Sequence, residues 1–201
     1  MRAKHFFIAT VATAAIVTGA WLSFQEAQTP SPPITATVLP QPVDLAKFSL
    51  IDHRSQPFTA AEFAGQWDLV FFGFTNCPDI CPLTLKVLAD ARTLADVGDT
   101  RVVLVSVDPE RDTPDNLARY VGHFGDNIIG LTGELDQLRA LTGSLGIWFE
   151  KEPSDNEHYN VNHSAAVIVV DPDGKFHAVF TAPHVAENIA ADMQSLMALA
   201  K

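Results

Sequence analysis

Cysteine is scarce, with two in 201 residues. Two thiols within one chain make neither a disulfide framework nor a four-cysteine zinc or iron–sulfur site, so any chemistry they carry is carried as one pair. Positive charge is also short. Lysine and arginine number 13 against 24 aspartates and glutamates, a net charge of −11, which argues against a nucleic-acid partner. With Arg2 and Lys4 set aside the remainder is more acidic still, as suits a soluble face. The chain shows no internal repeat.

Charge is missing altogether from Phe6 to Phe24, just after Arg2 and Lys4. As a helix this run would reach roughly 28 Å, long enough to cross a bilayer. The basic flank keeps the N-terminus cytoplasmic and sends the rest across. A cleaved signal peptide is the alternative, given the small residues Thr18, Gly19 and Ala20. Either way the remainder is exported, and with no room for an Arg- and Ser-rich transit peptide the reading is a bacterial inner membrane with the domain in the periplasm. Residues 1–24 are thus expected as the anchor. Residues 25–43, broken by Pro30, Pro32, Pro33, Pro40 and Pro42, are expected as a semi-rigid tether, and residues 44–201 as the domain.

In that domain, Trp67–Phe74 and Arg101–Val107 are nearly continuous apolar runs, the mark of strands buried on both faces. Helical spacing links them over Leu83–Leu94. Thr113 and Pro114 open another helix by the N-cap and first-turn preferences. Ile128–Leu131 is a short strand and Glu134–Leu145 a helix. Ser164–Val170 and Lys175–Phe180 flank the turn Asp171-Pro172-Asp173-Gly174 as a hairpin, and Val185–Leu199 closes the chain as an amphipathic helix. Met193 and Met197 on that helix read as core packing. The order predicts an α/β domain with a thioredoxin-like fold, preceded by an N-terminal transmembrane helix.

Both cysteines lie in Thr75-Asn76-Cys77-Pro78-Asp79-Ile80-Cys81-Pro82, where a buried strand meets a helix start. Free N–H groups and the helix dipole favour a thiolate there. One residue more separates them than in ordinary thioredoxin-type pairs, and the wider loop suits a metal while leaving a disulfide within reach. A soft sulfur pair in an exported protein favours copper(I), which often adds an imidazole. Of the seven histidines, His163 is the best third donor because it opens the first strand of the terminal hairpin, beside the cysteine loop; His158 is the reserve. His5, His53, His123, His177 and His184 have no special relation to the loop. Asp108 ends the second buried strand and serves either the site or the turn before Pro109. Glu110, Arg111 and Asp112 read as a solvated loop.

Three segments carry a resemblance: Phe72-Gly73-Phe74-Thr75-Asn76-Cys77-Pro78-Asp79-Ile80-Cys81-Pro82, then Ser106-Val107-Asp108-Pro109-Glu110-Arg111-Asp112-Thr113-Pro114, then His163-Ser164. In this order the chain resembles the Sco/SenC family of copper-binding cytochrome oxidase assembly proteins. The resemblance implies copper held by Cys77, Cys81 and His163, and a role in maturing the binuclear copper centre of a haem-copper oxidase. The implied partners are the copper-accepting oxidase subunit and a periplasmic copper donor or thiol reductant. One departure stands out. The family commonly has Asp-His-Ser at the histidine, and this chain has Asn162-His163-Ser164, which removes a carboxylate beside the ligand.

The leading expectation is therefore a copper carrier that turns over no substrate. Its rival is a thiol-disulfide oxidoreductase, in which Cys77 and Cys81 reduce a partner's cysteines without any histidine. A copper or redox sensor is a weaker third.

Overall fold

The structure, a computed structural model, describes residues 18, 19, 21, 35–94, 100–153 and 159–200. Most of the expected anchor, most of the tether, and His5 and His158 lie outside the described residues. Among the described residues no helix is long and apolar enough to cross a membrane.

Among residues 35–200 that are described, ten strands and four α-helices follow in chain order. The strands are β1 (Thr37–Asp44), β2 (Leu50–Asp52), β3 (Pro57–Phe58), β4 (Asp68–Gly73), β5 (Arg101–Ser106), β6 (Ile128–Thr132), β7 (Phe149–Lys151), β8 (Val161–His163), β9 (Val167–Val170) and β10 (Lys175–Phe180). The helices are α1 (Ile80–Leu94), α2 (Pro114–Val121), α3 (Leu135–Ser144) and α4 (Ala186–Leu199). Eight strands form one sheet in the order β1-β10-β9-β4-β5-β6-β2-β3, while β7 and β8 form a separate two-stranded ribbon.

The centre of the sheet follows from its sequence. Every residue of β4 is buried, and Phe71 and Phe72 are 0% exposed. Burying each such side chain contributes about 1.5–3 kcal/mol. Parallel pairing of β4 with β5, from Asp68 opposite Arg101 to Gly73 opposite Ser106, needs a crossover, and α1 supplies it. Leu85, Leu88 and Ala91 turn the buried face of α1 inward, and the helix packs on β4, β5 and α4. At the start of the pair, Arg101 donates from Nε and Nη2 to Asp68 Oδ1 and Oδ2 at 2.6 and 3.0 Å. Burial still pushes the Asp68 carboxyl up to about 6. Met193 is buried and Met197 packs against the core, as expected of spacers in α4.

Two segments differ from the sequence reading. Residues 37–43, assigned to the tether by their prolines, form most of β1, which pairs antiparallel with β10. Pro40 and Pro42 are tolerated because β1 lies at the sheet edge and its register shifts between Val38 and Val43. Just before β1, Asp192 of α4 accepts through Oδ2 from Thr35 N–H (2.8 Å), Thr35 Oγ1 (2.7 Å) and Ala36 N–H (2.8 Å). The second difference concerns His163. It ends β8 in the ribbon instead of opening the hairpin strand, which begins at Val167.

Candidate metal centre

The cysteine loop leaves the carboxyl end of β4, where open α/β sheets place their ligands. Its two thiols are free and differently placed: Cys77 is half-buried and Cys81 is buried. The loop is tied at its base, where Cys77 N–H donates to the Phe74 carbonyl at 3.3 Å. Cys81 N–H donates to Cys77 Sγ at 3.4 Å, which holds that sulfur over the first turn of the helix. At Cys81 burial outweighs the helix start, and the thiol is held well above its usual range.

His163 reaches the loop from the ribbon, 82 residues on, with Nε2 at 3.5 Å from Cys81 Sγ. Its Nδ1–H donates to the Ser164 carbonyl at 3.0 Å, which assigns the tautomer and leaves the Nε2 lone pair facing the sulfur. Phe71 and Phe74 close edge-on around the ring, each 6.0 Å between centroids. Desolvation in this box lowers the His163 pKa, so the imidazole is neutral near pH 7. Two thiolate sulfurs and a neutral imidazole in apolar surroundings are the donor set of a soft, low-charge ion.

The three donors are not drawn onto a common point. Among the described residues no three His, Cys, Asp or Glu side chains stand close enough together to hold an ion as they are. Gathering them onto one ion requires adjustment of the loop or ribbon.

The residues behind the loop are a finding the sequence reading missed. Asp112, expected in a solvated loop, is 0% exposed. It accepts from Thr75 N–H at 3.0 Å, Thr75 Oγ1 at 2.5 Å and Ser106 Oγ at 2.6 Å. Ser106 Oγ in turn accepts the Asp108 N–H at 3.0 Å. This relay joins the end of β5 to the residue that opens the cysteine loop. Desolvation raises the Asp112 pKa, and its hydrogen bonds pull it back. The hydroxyls Thr75 and Ser106, one beside each strand end, were the available signal.

Asp108 is also buried, with Tyr159 and Arg111 as partners. It therefore does more than shape the turn before Pro109. Asn162 points away from the site. It alternates with His163 along β8 and donates Nδ2–H to Glu152 Oε1 at 3.0 Å, so the missing carboxylate does not face the donors. Of the remaining described histidines, His53 bonds Gly130, His123 the Arg119 carbonyl, His177 Asp171 and His184 the Ala165 carbonyl. Three large apolar side chains close to the donors along the chain or the ribbon are exposed. Ile80, Leu83 and Trp148 are 53%, 58% and 55% exposed; beside the histidine, Trp148 accepts the Ser164 N–H on its carbonyl and donates its own N–H to Ser164 Oγ.

The SCO1/SenC family profile matches residues 24–198. The bovine (Bos taurus) mitochondrial SCO2 homolog is 40% identical over 156 residues, which are 75% of this chain and 59% of that protein. The match spans about three fifths of the bovine and mouse SCO2 homologs. Arabidopsis thaliana ScoI, solved with copper bound, superimposes with a TM-score of 0.71 at 31% identity, covering 76% of this chain and 98% of that one. BsSco, described as a Sco-family cytochrome c oxidase assembly protein with a disulfide switch, gives 0.62 at 25% identity, covering 81% and 99%.

Proposed function

The chain belongs to the SCO1/SenC family, and from that premise we propose that it is a copper carrier that binds the ion through Cys77, Cys81 and His163. The observation that carries the reading is the approach of His163 Nε2 to within 3.5 Å of Cys81 Sγ, across 82 residues. Copper here is cargo. It binds through two thiolates and an imidazole whose other nitrogen is already engaged, so the ring keeps its orientation as the ion arrives. The exposed apolar side chains Ile80, Leu83 and Trp148, near the donors along the chain or the ribbon, give an acceptor a surface to meet. Copper-bound ScoI supports the choice of metal. The membership of BsSco among cytochrome c oxidase assembly proteins supports an acceptor of that kind, namely the copper-accepting subunit of a haem-copper oxidase. The carrier is held at the bacterial inner membrane by Phe6–Phe24, with its domain in the periplasm.

The test is a copper titration of the reduced full chain with X-ray absorption of the loaded protein. One equivalent bound by two sulfurs and one nitrogen is expected. His163→Ala should lose the nitrogen and at least about 100-fold in affinity; unchanged binding in that variant overturns the assignment.

A second reading rests on the unequal thiols. Cys77 is accessible and receives an N–H bond, while Cys81 waits buried behind it. In that role Cys77 thiolate attacks a partner disulfide, releasing one partner thiol, and Cys81 then displaces the second as the pair becomes a disulfide. A disulfide switch in BsSco agrees with this. The two roles are compatible, because acceptor cysteines must be reduced before they take metal.

A further inference from the structure

The histidine stands on a ribbon that shares no rung with the main sheet. Its aim must therefore be set by side chains, and the described contacts converge on one residue. Tyr159, four positions before His163, donates its hydroxyl to Asp108 Oδ1 at 2.6 Å and approaches Glu110 Oε2 at 3.3 Å. Its ring lies between two cations, with the Arg111 guanidinium 3.6 Å and the Lys151 ammonium 3.9 Å from the centroid. Arg111 is itself paired with Asp108 and sits 5.8 Å from the Phe74 ring, whose edge meets His163. Lys151 belongs to β7, opposite Val161 of β8, and bonds Glu110 at 2.6 Å. Both strands of the ribbon are thus fastened to residues 108–111, which follow β5. The same segment carries the relay to Thr75 at the root of the cysteine loop.

We infer that Tyr159 is a positioning residue for His163, a latch that holds the ribbon against the loop after β5 so that the imidazole faces the cysteines. The inference rests on the reading of His163 as a copper donor. Tyr159 is half-buried, and its hydroxyl and ring meet charged groups. Its removal should change the ribbon's aim more than the fold. The hydroxyl and the ring act separately: the hydroxyl fixes the height of the ribbon on buried Asp108, and the ring fixes the cations on either side of it.

A double-mutant cycle on the full chain tests this, with copper affinity measured by competition and amide exchange at His163 and Ser164 followed in the metal-free protein. Tyr159→Ala should weaken copper binding by about 10- to 100-fold and deplete nitrogen in the copper shell. It should also speed exchange at both amides with no copper present. Tyr159→Phe, which keeps the ring, should fall between it and the parent. In a His163→Ala background Tyr159→Ala should cost nothing further, because the latch acts only through that ring. Equal losses in both backgrounds, or parental affinity and exchange in Tyr159→Ala, overturn the latch. Failure of His163→Ala alone to weaken binding would instead remove the donor assignment beneath it. Tyr159→Phe answers the question should the alanine variant not fold.

Discussion

Gly73 leaves empty the space that Cys81 needs: a Cβ at position 73 would stand 3.0 Å from Cys81 Sγ and 2.9 Å from Phe71 Cε1. The crowding is to a buried thiol and a buried ring, neither of which has room to retreat. Gly73→Ala should therefore cost about 1–3 kcal/mol in thermal unfolding of the metal-free chain. It should also weaken copper binding, because the sulfur must shift to admit the methyl group. Parental affinity in a folded Gly73→Ala protein would show that Cys81 has freedom the packing denies it.

Asp112→Ala removes the acceptor for one backbone N–H and two hydroxyls in a dry place. The expected loss is about 2–4 kcal/mol, read as a lower urea midpoint with unchanged slope. A midpoint within a few tenths of a molar of the parent would mean that the three donors find other partners.

Acid should oppose loading. Burial holds the Cys81 thiol above its usual range, so an ion bound near neutral pH displaces at least that proton. Apparent copper affinity should rise by at least about tenfold per pH unit between pH 6.5 and 8, measured with a competitor of known pH behaviour. His163 does not oppose this rise, because desolvation has lowered its pKa. The same lowering acts on folding: below about pH 6.5 the unfolded chain takes up the imidazole proton before the native one does. The histidine's contribution to stability is thus present above that pH and is lost as pH falls toward the native value. A flat affinity profile would mean that the buried thiol is already ionised.

Asn162→Asp supplies the carboxylate that the resemblance led us to expect beside the histidine, yet it should leave the copper spectrum and affinity unchanged. The side chain faces Glu152 across the ribbon, away from the sulfurs. The measurable effect should be a few tenths of a kcal/mol of destabilisation from two facing carboxylates, relieved by salt. A shifted copper spectrum would place residue 162 within reach of the ion.

What the sequence made legible was whatever two-sided burial or local spacing imposes. The apolar runs through Phe71 and Val103 declare interior strands, and the prolines after each cysteine, with the helical spacing beyond, put the thiols at a helix start. His163 stands beside the loop, but it reaches it from the ribbon and not from the hairpin strand. The ribbon strands are three residues each, and their pairing is a matter of backbone hydrogen bonds that leave no periodic trace. Strand β1 was hidden for a related reason: it is largely exposed and carries two prolines, so only its partner β10 reveals it. Asp112 was misjudged because its neighbours Glu110 and Arg111 are charged. Its burial is balanced by hydroxyls 6 and 37 positions away.

The grip of Asp192 on Thr35 and Ala36 decides how the domain would bear a load. Tension arriving along the residues before Thr35 is passed to the middle of α4, which lies packed along α1, before it reaches the edge of the sheet. Two helices resist it in shear, and the rungs between β1 and β10 are spared from opening one at a time like a zip.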